Sequence, residues 1–169
     1  RDFTGYISCN IVRLFRNMPE IYFDGAVHES VDRSIKKLGN VMKTNIKIHH
    51  YQFEKGMNFQ REKQLKYLKI YEENIDKYPN KARAYRDIGM TYYTFLNNYE
   101  KAFEAFKRSF ELNSGSIKTY VGLGLCLIKL NRLQEAKKYL ELGLDIEPEN
   151  KQLNFLRNYA DSKNKNQNL

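Results

Sequence analysis

The chain has 169 residues, with 29 lysines and arginines against 20 aspartates and glutamates, for a formal net charge of +9. A hydrophobic content of 41%, with 13 tyrosines and 10 phenylalanines, excludes a chain too polar and too poor in aromatics to build a core. No run approaches the ~20 apolar residues that span a bilayer, so no membrane span is expected. With no initiating Met and no hydrophobic leader, Arg1 is expected to be a fragment boundary. Cys9 and Cys126 stand far apart, which suits packing roles in a reducing cytoplasm better than a disulfide.

Up to Phe53 the pattern is strand-like. Tyr6 to Arg16 alternates branched and polar residues, and Glu20 to Phe23 continues the alternation. Asp24-Gly25 between apolar runs signals a tight turn, so Ile21 to Gly25 reads as a hairpin that delivers His28 and Glu29 side by side. Residues 29 to 38 suit a short helix on Val31, Ile35 and Leu38, stopped by Gly39. Asn45 to Phe53 reads as a further strand, with Ile46 and Ile48 on one face and Lys47 and His49 on the other. From Arg33 to Lys69 lysine and arginine dominate, with Glu54 and Glu62 in opposition. A basic stripe can attract phosphate, but this one is mostly helical and lacks aromatic platforms between the charges, so no sequence-specific nucleic-acid partner is expected.

After Gly56 the period changes to about 3.6. Residues 58 to 78 place Leu65, Leu68, Tyr71, Ile75 and Tyr78 on one stripe, and Pro79 ends that helix. Residues 117 to 150 then form one 34-residue unit of the tetratricopeptide pattern. Tyr120, Leu123, Gly124 and Leu127 fall on its first helix, Ala136, Leu140 and Gly143 on its second, and Pro148 closes it. Gly124 and Ala136 are small because two antiparallel helices are expected to cross closely there. Residues 82 to 116 repeat the pattern through Tyr85, Ile88, Gly89, Tyr92, Ala102 and Phe106, with one extra residue in the turn from Thr94 to Asn98. An insertion of that size belongs in a surface loop, where closure entropy changes little.

Catalytic motifs are few. His28-Glu29 opens like a zinc-protease motif, but that chemistry needs a second histidine four residues on, where Asp32 stands. His49 and His50 are adjacent, and adjacent strand residues point to opposite faces, so one of them at most shares a site with His28. There is no P-loop, no G-x-G-x-x-G, no nucleophilic serine motif and no Asp-x-Asp pair.

Three segments together nevertheless point to a family. Arg13-Leu14-Phe15-Arg16-Asn17, then Phe23-x-Gly25-x-Val27-His28-Glu29-x-Val31, then Ile48-x-His50-Tyr51 resemble the end of the catalytic domain of family 2 glycosyltransferases in the version fused to tetratricopeptide repeats. That resemblance implies a GT-A domain that binds a nucleotide-sugar with a divalent metal, Mg or Mn. It implies catalytic roles for His28 and Glu29 on the acceptor side, a cofactor-binding role for Arg13 and Arg16, and a metal-shell role for His50. Gln52-Phe53 stand where the family usually has Gly-Tyr, a departure next to His50. The donor-binding strands and the metal-binding Asp-x-Asp precede this region in the family, so the chain itself is expected to be inactive and to hold no cofactor.

The expected fold is therefore mainly α, a tetratricopeptide-like antiparallel helix-pair solenoid preceded by a small α+β segment, the edge of a GT-A domain. The expected organisation is a catalytic-domain remnant at 1–55, a connecting helix at 56–81, repeats at 82–116 and 117–150, and a capping helix with a disordered polar tail at 151–169. Two functions compete: a glycosyltransferase fragment with a repeat module, and a non-catalytic adaptor that binds an acidic peptide or partner protein. Under either, a peptide or acceptor protein is expected in a groove lined by Arg83, Arg86, Met90, Tyr93, Lys118, Val121 and Leu125. Exposed N-terminal strand edges would also allow a dimer.

Overall fold

A computed structural model of the chain describes residues 15, 18–23, 31–39, 42, 56–78 and 80–167. The chain divides into two compact units, Arg1–Glu54 and Lys55–Leu169. In the first, the described residues include one short helix, α1 (Asp32–Ile35), closed by the Gly39 N–H donating to the Ile35 carbonyl at 3.2 Å. The strand expected over Glu20 to Phe23 is corrected by the structure. Pro19 and Glu20 form a turn, closed by the Ile21 N–H on the Met18 carbonyl at 3.0 Å. The next backbone group is taken by a side chain: the Tyr22 N–H donates to Ser34 Oγ at 3.1 Å, and Ser34 Oγ lies 2.9 Å from the Tyr22 carbonyl. A backbone whose donor and acceptor are both held by one buried hydroxyl has none left for a ladder. Among the described residues there is no strand.

The second unit is helical throughout its described length. Its elements are α2 (Gly56–Asn74), a 3-10 turn (Ile75–Lys77), α3 (Lys81–Phe95), α4 (Tyr99–Leu112), α5 (Ile117–Lys129), α6 (Leu133–Ile146) and α7 (Lys151–Gln167). Asparagine starts three of them. Asn80 Oδ1 accepts from the Arg83 N–H, Asn98 Oδ1 from the Lys101 N–H and Asn150 Oδ1 from the Leu153 N–H, each satisfying a donor that a helix start leaves free. Asparagine also turns each helix pair, since Asn97 (φ 50°) and Asn131 (φ 60°) take the left-handed conformation that asparagine tolerates best after glycine. In the second pair the turn closes five residues back, with the Arg132 N–H on the Leu127 carbonyl. In the first it closes six back, with the Asn98 N–H on the Tyr92 carbonyl, which is where the extra residue of that repeat is absorbed. Helix α7 continues past Tyr159 to Gln167 and takes in most of the polar tail.

The core explains the small residues. Phe106 of α4 is fully buried, with its ring between Gly89 of α3 and Gly122 of α5. A β-carbon on Gly124 would stand 2.5 Å from Leu140 Cδ2, so α5 and α6 cross where only glycine fits. One on Gly143 would meet Tyr120 Cβ at 3.0 Å and Leu153 Cδ1 at 2.9 Å. The one polar pair in the described interior of α4 and α5 is satisfied, with Ser109 Oγ and Thr119 Oγ1 3.1 Å apart.

Candidate functional site

Curvature places the groove. Successive first helices approach closely backbone to backbone, α3 on α5 and α5 on α7, whereas among the described residues the second helices α4 and α6 stand further apart and meet through aromatic side chains, Phe103 and Phe110 against Tyr139. A stack is shorter on its inner side, so α3, α5 and α7 line the concave face. These helices divide the charge unevenly. Their sequences hold nine lysines and arginines to two aspartates, while α4 and α6 hold five to six acidic residues. Part of the chain's positive charge is thus sorted onto one row of helices. The field over a concave wall of one sign is focused rather than averaged away.

The expected groove residues fall at corresponding positions of α3 and α5. Arg83 matches Lys118, Arg86 matches Val121 and Met90 matches Leu125, each 35 residues apart. Arg83, Met90 and Lys118 are exposed, Leu125 is half-buried, and Val121 is buried in the core cluster. Tyr93 is half-buried, with its ring centroid 5.4 Å from that of Tyr99. Among the described residues Lys118 makes no ion pair.

One residue that the sequence reading passed over changes the arginines. Asp87 lies 3.8 Å from Arg83 Nε and 3.6 Å from Arg86 Nη2, and it accepts a hydrogen bond from Tyr71 Oη of α2 at 3.2 Å. Burial, reinforced by Asp87, holds the Tyr71 phenol protonated well above its ordinary range, so it remains a donor. Asp87 therefore ties both guanidinium groups to the α2 contact and halves the charge they present. A signal for it existed: position 87 matches Gly122 of α5, whose missing side chain admits Phe106 of the preceding helix. Polar atoms at that position face the preceding helix, not solvent.

A depression of about 400 Å³ opens between α2, α3 and α4, lined by Ile75, Tyr85 and Ile88 with Glu72 and Lys101 at polar positions. Tyr92 Oη donates to Glu72 there at 2.7 Å. The remaining sequence candidates, His28, Glu29, Arg13, Arg16 and His50, lie outside the described residues, as do the expected strand at 45–53 and all but Phe15 of the one at 6–16, whose edges were expected to allow a dimer. Among the described residues no group of three His, Cys, Asp or Glu could hold a metal ion, and no helix is long and apolar enough to cross a membrane.

A family model described as "Tetratricopeptide repeat" matches residues 96–157. No curated protein matches the chain. Solved structures that resemble it include the second TPR domain of human RPAP3 in complex with the HSP70 peptide SGPTIEEVD (TM-score 0.55, 24% identity, covering 61% of this chain and 85% of that one). The first TPR of Spaghetti (RPAP3) bound to the HSP90 peptide SRMEEVD matches similarly (TM-score 0.55, 24% identity, 62% of this chain and 85% of that one). The Sgt2 TPR domain from Aspergillus fumigatus gives a TM-score of 0.58 at 18% identity, covering 65% of this chain and 74% of that one. The described helices of the second unit have the fold of a tetratricopeptide helix-pair solenoid, and residues 96–157 of it match the tetratricopeptide repeat.

Proposed function

We propose that the concave face binds an acidic peptide segment of a partner protein. The observation that carries this reading is the sorting of charge onto α3, α5 and α7, with Lys118 unpaired among the described residues and Arg83 exposed beside it in register. Lysine and arginine on a concave wall favour carboxylates through charge-assisted hydrogen bonds. Two of the similar structures hold peptides ending in Glu-Glu-Val-Asp, which is the same ligand chemistry. The groove residues Arg83, Arg86, Met90, Tyr93, Lys118, Val121 and Leu125 belong to this proposal, and so does the cytoplasmic setting suggested by Cys9 and Cys126.

The test is a fluorescence-anisotropy titration of the whole chain with labelled SRMEEVD and SGPTIEEVD, and with versions in which Glu and Asp become Gln and Asn. Acidic peptides are expected to bind, to weaken as salt rises, and to lose about tenfold in affinity on Arg83→Gln or Lys118→Gln. Equal affinity for acidic and neutralised peptides, or no binding by either, refutes the reading.

The glycosyltransferase parent is a second proposal, supported by the sequence resemblance of residues 13–17, 23–31 and 48–51 alone. In it His28 and Glu29 serve the acceptor, Arg13 and Arg16 bind the cofactor and His50 joins the divalent metal's shell. Reading the frame upstream of Arg1 tests it: an Asp-x-Asp among alternating strands and helices is expected, and its absence ends the proposal.

A further inference from the structure

Helix α7 repeats the pattern of α5 one 34-residue unit later, and its three faces can be compared one at a time. Thr119, Gly122 and Cys126 of α5 are buried, and Gly122 packs on Phe106 of the helix before it. Their counterparts on α7, Leu153, Leu156 and Ala160, are buried too, so α7 packs on α6 as α5 packs on α4. Tyr120, Leu123, Gly124 and Leu127 of α5 are buried in the core that α5 shares with its own second helix. On α7 the same positions are Asn154, Arg157, Asn158 and Asp161. That face has turned polar, and among the described residues no further helix packs against it.

The third face has not turned polar. The positions matching Val121 and Leu125 are Phe155 and Tyr159, which are 68% and 45% exposed. A helix that sheds its apolar residues on one solvent-facing side and keeps two aromatics on another keeps them for contact. The two lie in the same rows as Arg86 and Val121, and as Met90 and Leu125, so they continue the concave face by one helix. Large exposed aromatics beside half-buried apolar neighbours are the side chains that carry binding energy in interfaces.

We infer that Phe155 and Tyr159 form an apolar anchor site at the α7 end of the concave face, and that its ligand is an extended peptide combining acidic residues with a large aliphatic or aromatic side chain. The inference rests on the acidic-peptide reading and deepens it. Charge on α3 and α5 selects carboxylates, and α7 selects the apolar residue that follows them. Lys163, in register with Lys129, keeps the positive rim continuous along α7.

Selection of a displayed random nonapeptide library on the immobilised whole chain tests this, with Phe155→Ala/Tyr159→Ala selected in parallel. Both residues are exposed, and equal thermal melts of the two proteins establish that the variant is folded. Wild type is expected to enrich peptides that hold acidic residues and one large apolar residue. The double variant is expected to keep the acidic preference and lose the apolar one. A peptide chosen by wild type should bind Phe155→Ala about tenfold more weakly, the loss of one anchor. Acidic enrichment without an apolar preference, or an apolar preference that survives the double variant, overturns the anchor and leaves the acidic-peptide reading standing. Absence of acidic enrichment overturns both.

Discussion

Gly122→Ala adds a single methyl group at the most crowded point between the repeats. The new β-carbon would lie 2.4, 2.5 and 2.6 Å from three atoms of the Phe106 ring, whereas carbons in contact settle at roughly 3.5–4.0 Å. The ring must therefore retreat by about 1 Å. It has little room: Phe106 is 0% exposed, and on its other side the ring lies so close to the Gly89 backbone that a β-carbon built there would stand 3.0 Å from it. Overpacking of this kind costs about 1–3 kcal/mol, and a rigid buried ring belongs in the upper half. Replacing glycine by alanine inside a helix returns about 1 kcal/mol of propensity. The net expectation is a destabilisation of about 1–2 kcal/mol, read as a lower urea midpoint at unchanged slope by circular dichroism. Phe106→Leu in the same chain should relieve the clash, so the double variant should lose at least about 1 kcal/mol less than the sum of the two single changes. Gly89→Ala, with its longer contact, should destabilise less than Gly122→Ala. An unchanged midpoint for Gly122→Ala, or strict additivity with Phe106→Leu, refutes the glycine slot as the cause of the close approach.

Cys126 is fully buried, and burial pushes its thiol up to about 12, so in a Cys9→Ser chain a disulfide reagent at pH 8 should leave it unmodified until guanidinium unfolds the solenoid. Rapid labelling of the folded chain would contradict its place in the core. Tyr92 is pushed up to about 12 by burial and by its hydrogen bond to Glu72. Above pH 10 the unfolded chain releases that proton while the folded chain keeps it, so stability present below pH 10 is lost as pH rises toward 12. Urea midpoints measured from pH 8 to 11.5 should therefore fall more steeply for wild type than for Tyr92→Phe; parallel slopes would remove Tyr92 as a source of the loss.

The repeats were legible because their physics is local. A period of 3.6 with glycine or alanine at fixed offsets needs no distant information, and Gly124 against Leu140 is the crossing that those offsets foretold. What the sequence hid depended on partners across helices. Asp87 reads as one more exposed charge, and only the approach of Tyr71 from α2 shows that it draws Arg83 and Arg86 aside. Phe155 and Tyr159 read as part of a generic cap, because their meaning comes from comparing α7 with α5 face by face. The strand expected at Glu20–Phe23 was an alternation taken at face value, while Met18-Pro19-Glu20 already carried a turn signal. The candidates His28, Glu29 and His50 fall outside the described residues, and their standing rests on the resemblance.

Two repeats are fewer than the roughly three that a stand-alone stack needs, and the flanking helices show how the deficit is met. Helix α5, covered on both sides, buries nine of its 13 residues, whereas α3 buries four of its 15. The difference lies in what covers them. Helix α7 gives α6 and α5 an apolar face of Leu153, Leu156 and Ala160, while α2 contributes Leu68 and Tyr71 as its buried residues. Stability in a solenoid is a sum over neighbouring interfaces, so it is greatest around α5 and α6 and falls toward α2. The polar bond from Tyr71 to Asp87 partly makes up for that sparse contact, and it does so by using charge from the same arginines that face the groove. A carboxylate ligand in the groove would thus compete with Asp87 for Arg83 and Arg86. A peptide lying across Arg83, Leu125 and Phe155 would touch α3, α5 and α7 together, and its binding energy would add to the stability of the stack that these three helices share.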